Sequence, residues 1–186
     1  MKKIVLTFGL ISGGILVLMM VAGIPLMKGS DFGKLEIIGY STMVASFLMV
    51  FFGIRSYREN IGGGVISFGK ALKVGLLITL VSCACYVFAW QIIYFNFLPD
   101  FAERYGTYTI DKARAAGASA AELEAQKEQV KQFKVMYDKL PFNIALTFLE
   151  PLLVALPMTL ISAALLRRKE PKTGSSKFEP QASLSL

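Results

Sequence analysis

Few residues in this chain of 186 have the type and spacing to do chemistry: one carboxylate in an apolar run, two cysteines in another, and a glycine-rich loop ending in lysine. Glu150 is the carboxylate. It lies eight residues past Phe142 in the stretch Phe142 to Leu166, about 12 Å along a helix rising ~1.5 Å per residue. At that depth in a bilayer a carboxylate costs roughly 3 kcal/mol, against thirteen Leu, Ile, Val and Phe residues in the same stretch at about −0.3 to −0.6 each, so the segment still inserts. Pro151 follows directly. It lacks an N–H and biases the preceding residue away from helix, which predicts a kink with Glu150 turned to the interior or to a wet pocket. Gln91, Tyr94 and Asn96 lie at comparable depth and are its expected neighbours. Three chemistries suit such a group: a structural hydrogen-bonded carboxyl, a proton or solute path, or a site for a cationic or lipid ligand.

The other candidates carry less. Cys83 and Cys85 point to different faces of a helix and read as small core residues. Gly64-Val65-Ile66-Ser67-Phe68-Gly69-Lys70-Ala71 matches seven positions of a phosphate-binding P-loop. The eighth fails, because Ala71 stands where a Ser or Thr would hold magnesium. The glycines are expected to form a flexible approach to a helix, with Ser67 as its cap and Lys70 and Lys73 reaching toward headgroups. Together with Arg55 and Arg58, these lysines form a candidate site for lipid phosphate. The chain has no histidine, which excludes Ser-His-Asp and Cys-His nucleophiles and imidazole metal sites. No metal or cofactor is called for.

Positioning these residues falls to apolar helices. The composition is 54% hydrophobic and the mean hydropathy is +0.55, too apolar for a soluble domain of this size. Four runs, at about 4–27, 37–54, 74–97 and 142–166, are each long enough to cross a hydrocarbon core of ~30 Å. Lys2 and Lys3 before the first run resemble the start of a signal peptide. Its apolar core exceeds the usual 7 to 15 residues, so it is expected to be a retained anchor. Small residues recur four apart: Gly9 and Gly13, then Gly75 and Thr79, then Ala155 and Thr159. Such stripes let helix backbones approach, within one bundle or between two copies.

Orientation follows from basic flanks. Within eight residues of a span end, one side carries Lys2, Lys3, Arg55, Arg58, Lys70, Lys73, Arg167, Arg168, Lys169 and Lys172, against Lys28, Lys34, Arg104, Lys134 and Lys139 on the other. The positive-inside rule therefore places both termini in the cytoplasm. The net charge of +7 is explained by topology and anionic lipid headgroups, and nucleic-acid binding is not expected.

Between the third and fourth spans, residues 98–141 read as an extracytoplasmic helical hairpin. Its first helix starts at Pro99, its turn is Gly117, and its second helix opens with the capping box Ser119 to Glu122. Leu123, Val130, Phe133, Tyr137 and Leu140 share one stripe of that second helix, suited to its hairpin mate or to a partner protein. Residues 167–186 read as a basic flank and a disordered cytoplasmic tail. The fold class expected is all-α: a polytopic membrane protein, a four-transmembrane-helix bundle with this hairpin between spans three and four.

The runs Gly53-Ile54-Arg55-Ser56-Tyr57-Arg58 and Gly63-Gly64-Val65-Ile66-Ser67-Phe68-Gly69-Lys70-Ala71, and Pro99-Asp100-Phe101 ahead of a Lys- and Ala-rich insert, give the chain a resemblance to a known family. It resembles uncharacterised bacterial membrane proteins catalogued as a domain of unknown function. The resemblance spans roughly Ile4 to Leu166. It implies a multi-pass protein of the cytoplasmic (inner) membrane with four spans, and it supplies no substrate, cofactor or catalytic residue. The leading functional expectation is a non-enzymatic structural, assembly or accessory component acting through helix contacts, as a homo-oligomer or with a membrane-protein partner. A small transporter or proton-coupled carrier using Glu150 is the alternative, and a lipid-headgroup binding or lipid-modifying protein is the third.

Overall fold

The computed structural model describes residues 1–29 and 32–168, which form six helices: α1 (Lys2–Lys28), α2 (Phe32–Asn60), α3 (Phe68–Phe97), α4 (Phe101–Ala115), α5 (Ala120–Tyr137) and α6 (Leu140–Leu166). Among the described residues, α1, α2, α3 and α6 are long and apolar enough to cross a membrane. Each helix outruns its apolar core at one end or both, because charged and polar flanks such as Arg55 to Asn60 continue the helix beyond any apolar boundary. The expected tail from residue 169 onward lies outside the described residues.

In the bundle α2 and α3 touch each other, and both touch α1 and α6, which lie on opposite sides of that pair. Lipid is as apolar as leucine, so apolar burial adds little to helix association in a bilayer. Close packing and interhelical hydrogen bonds carry it instead. The small stripes supply the close approach. A Cβ at Gly9 would fall 2.7 Å from Val81 Cβ, and one at Gly13 would fall 2.7 Å from Cys85 Cβ, so α1 lies backbone-close on α3. Gly75 meets Thr159 in the same way across α3 and α6. Polar side chains lock these seams: Ser12 Oγ and Ser46 Oγ are 2.8 Å apart, Thr79 Oγ1 and Thr159 Oγ1 3.2 Å apart, and Ser82 Oγ donates to the Gly9 carbonyl at 3.2 Å. Each such bond is worth about 0.6 to 2 kcal/mol. All six stripe residues are thus engaged within one chain, with Ala155 fully buried beside Thr159.

The connections follow local rules. Ser67 has extended backbone and its side chain accepts from the Lys70 N–H, which starts α3. Gly63 and Gly64 have φ of 61° and 86°, the left-handed region that glycine enters without penalty. The loop they open is pinned to the end of α6 by paired backbone bonds between Ile66 and Arg168 of 3.0 and 2.9 Å. Gly117, at φ 88°, turns α4 into α5, and Ser119 and Glu122 make both bonds of the capping box. Two expectations need correction. The first hairpin helix starts at Phe101, not Pro99, because Pro99 and Asp100 form a turn. Leu140 belongs to the start of α6 and not to α5.

α6 runs unbroken from Leu140 to Leu166, and Pro151 and Pro157 lie inside it. The helix thus continues through Pro151, the position of the expected kink, without a break. Pro151 is fully buried, so packing around the ring holds the helix where its missing N–H would otherwise end it.

Candidate functional site

At the end of the bundle that carries the hairpin, the four long helices do not close on one another. Their side chains and those of α4 and α5 line an open cavity of about 480 Å³. It reaches from Met27, Phe32 and Phe101 near the helix ends down to Leu16, Met43 and Glu150 in the middle of the bundle. Below it the bundle is solid: Val50, Ile54, Val74, Ile78 and Ala155 retain no accessible surface.

α2 gives the cavity a continuous stripe. Phe32, Leu35, Glu36, Gly39, Tyr40 and Met43 recur three and four apart and so share one face. Gly39 leaves open space there, since an added Cβ would meet nothing within 4 Å. α3 contributes Tyr86 and Trp90, α6 contributes Leu146, Thr147, Glu150 and Leu153, and α1 contributes Met19 and Met20 beside Leu16 and Met27. Glu150 keeps accessible surface, and the Tyr86 hydroxyl donates to its Oε2 at 3.1 Å.

The roof is aromatic. Phe32 packs edge-on against Phe101 and Tyr105 at 5.8 and 5.6 Å, and Phe101 packs edge-on against Trp90 at 4.9 Å. Glu36 ties α4 down: Lys112 Nζ is 3.6 Å from its Oε2, and the Tyr105 hydroxyl donates to its Oε1 at 3.4 Å. Burial is the largest cause that raises the Tyr105 phenol, with the Glu36 charge adding to it. Arg104 reaches the Lys28 carbonyl at the end of α1 at 2.8 Å. At the α5–α6 junction, Trp90 Nε1 donates to the Tyr137 hydroxyl at 2.9 Å and the Tyr94 hydroxyl donates to Asp138 Oδ1 at 2.6 Å. Burial pushes the Tyr137 phenol up to about 12, partly offset by the hydrogen bonds it receives. The hairpin is thereby latched to α1, α2 and α3.

The residues expected around Glu150 have other partners. Gln91 donates to Asn143 Oδ1 at 2.9 Å, Tyr94 serves the latch, and Asn96 bonds back to the Ile92 carbonyl of its own helix. Gln91 Oε1 is buried with no hydrogen-bond partner among the described residues. Sequence reasoning missed Glu36, Tyr40, Tyr86 and Gly39. The four-residue steps from Glu36 to Tyr40 and from Tyr86 to Trp90 were the available signal, each placing two polar or aromatic groups on one helix face.

The candidates on and beside the loop after α2 divide. Arg55 pairs with Glu59 at 2.9 Å, and Arg58 reaches Glu59 at 3.2 Å and the Leu166 carbonyl at 3.5 Å. Lys70 lines a separate open cleft of about 420 Å³ with Tyr57, Ile66 and Arg168, and Lys73, one helical turn on, is exposed outside it.

The fold and the cavity define a class: an all-helical protein with four helices able to cross a membrane, and a hairpin roofing a polar-floored cavity at one end. The chain belongs to the family described as "Protein of unknown function (DUF4199)", which matches residues 7–168. Neither a curated protein nor a solved structure matches it.

Proposed function

We propose that the protein is a non-enzymatic accessory component of a bacterial cytoplasmic membrane that holds a small ligand or lipid chain in its hairpin-side cavity. In this reading both termini lie in the cytoplasm and the hairpin outside. The observation that carries it is the contrast between the two halves of the bundle, one packed solid and the other hollow around Glu150. A volume of about 480 Å³ falls in the range of small-molecule sites, roughly 300 to 1,000 Å³. The polar groups lining it are carboxylates, phenols, an indole and two threonines, a set suited to orienting a ligand.

The test is a photoactivatable alkyl probe in native membranes. Adducts are expected on α1 around Met19 and Met20 and on α2 around Met43, and they should disappear in Gly39→Leu, whose side chain fills open cavity space. Adducts spread over lipid-facing positions such as Leu18 and Leu165, and unchanged by that substitution, would contradict the proposal.

A carrier is the second reading, favoured by a cavity open in one half of the bundle and closed in the other. Solute flux into proteoliposomes that is lost in Glu150→Gln would convert the holder into a carrier. Assembly through the hairpin draws support from exposed Val135 and Met136 on α5.

A further inference from the structure

We infer that the ligand of this cavity is an alkylammonium: a positively charged amine or quaternary ammonium head on an apolar chain. The inference deepens the ligand-holding reading and rests on it. Charge points first to a cation. The whole chain is strongly basic at +7, yet among the described residues no Lys or Arg lines the cavity, while Glu150 and Glu36 both do. Glu36 is already engaged by Lys112 and Tyr105, whereas Glu150 has the Tyr86 hydroxyl as its hydrogen-bond partner. The hydroxyl brings no positive charge to Glu150, so the place of a cation beside it is left to a ligand.

Ring chemistry points the same way. Tyr40, Tyr86, Trp90 and Tyr105 line the same space as the two carboxylates. Aromatic faces attract ammonium heads, and cages of such rings recognise quaternary ammonium. The remainder suits a chain. Met19, Met20, Met27 and Met43, with Leu153, form an adaptable apolar wall, and thioether side chains fit irregular chains at little cost. An anionic headgroup finds no cation among the lining residues.

Trp90 is the chain's one tryptophan and lies in the cavity wall, so its fluorescence reports on occupancy. The experiment titrates full-length protein in phosphatidylglycerol liposomes with decyltrimethylammonium, decyl maltoside and decyl sulfate. Wild-type protein is expected to give a saturable change with the first, and Glu150→Gln to raise the half-saturation concentration by at least about tenfold, as loss of one close charge pair requires. Gly39→Leu, which keeps both carboxylates, should abolish it. Equal saturation by all three amphiphiles, blocked by Gly39→Leu, overturns the ammonium assignment and leaves the ligand-holding reading standing. No saturable change with any of them overturns both. Liposomes enriched in phosphatidylethanolamine separate two sources of the same chemistry. A raised half-saturation concentration identifies the membrane's own amine headgroups as the ligand, and an unchanged one identifies an amphiphile from outside the lipid pool.

Discussion

A methyl group added at Gly75 would lie 2.6 Å from Thr159 Cγ2 and 3.0 Å from Ile54 Cδ1, whereas one added at Gly14 would meet nothing within 4 Å. The two glycines belong to helices of the same bundle, so their Ala variants separate close packing from helix propensity. Gly75→Ala should lower stability by about 1–3 kcal/mol, the usual cost of overfilling a packed seam. Gly14→Ala should leave it unchanged or raise it by about 0.5–1 kcal/mol, since alanine is the better helix former. Thermal unfolding in one detergent reads both, and equal losses would refute the packing account. The stripe from Gly75 to Thr79 was legible in the sequence because four-residue spacing is a property of one helix. The partner of Glu150 was not. Depth along α3 can be counted from residue numbers and favoured Gln91, but Tyr86 lies five positions earlier, about 140° round the helix. Which face of α3 meets α6 is decided by packing between helices, through pairs such as Gly75 and Thr159 that no single segment reveals.

The hairpin is an element whose stability can be followed through its own charges. The Arg104 guanidinium beside Asp100 holds its carboxyl below the usual range, with Oδ2 and Nε 2.6 Å apart. The Ser119 N–H, donating at 2.7 Å, does the same for Glu122, and the Ser119 hydroxyl adds to it. Glu103 raises Lys134 in turn through a contact of 2.7 Å that joins α4 to α5. For a carboxyl lowered on folding, the unfolded chain binds the proton first. The stabilisation is therefore present in full above the ordinary carboxylate range near pH 4 and is lost as pH falls through the lower folded values. Amide exchange in α4 and α5 should accordingly accelerate on acidification before exchange in the buried seams of α1 and α3 does. Ser119→Ala should weaken that acid dependence and cost about 1 kcal/mol in the first turn of α5. Exchange that is independent of pH after correction for intrinsic rates would contradict this. Both hairpin helices were readable from the turn glycine and the capping box, which are local signals. The tie from Glu36 to Lys112 was not, because it joins residues 76 apart.

At the scale of the whole molecule the two ends of the bundle behave as different materials. Toward the termini, small residues and branched side chains interlock, and the loop after α2 is stapled to α6 through Ile66 and Arg168. Toward the hairpin, aromatic and methionine side chains hold the helices apart and the roof spans the gap. The sequence announces four spans and a hairpin because length and hydropathy are additive along a chain. It does not announce a cavity, which is the volume left over when large side chains from six helices meet.

The contrast between a hollow half and a solid half of the bundle is the central claim, and cysteine accessibility tests it directly. In a chain with Cys83 and Cys85 replaced by alanine, Gly39→Cys and Val50→Cys place one thiol in the cavity wall and one in the solid half of the same helix. A small thiol reagent added to the purified protein should modify position 39 and leave position 50 untouched until the protein is denatured. Modification at neither position, or at both alike, would contradict a cavity above a closed base.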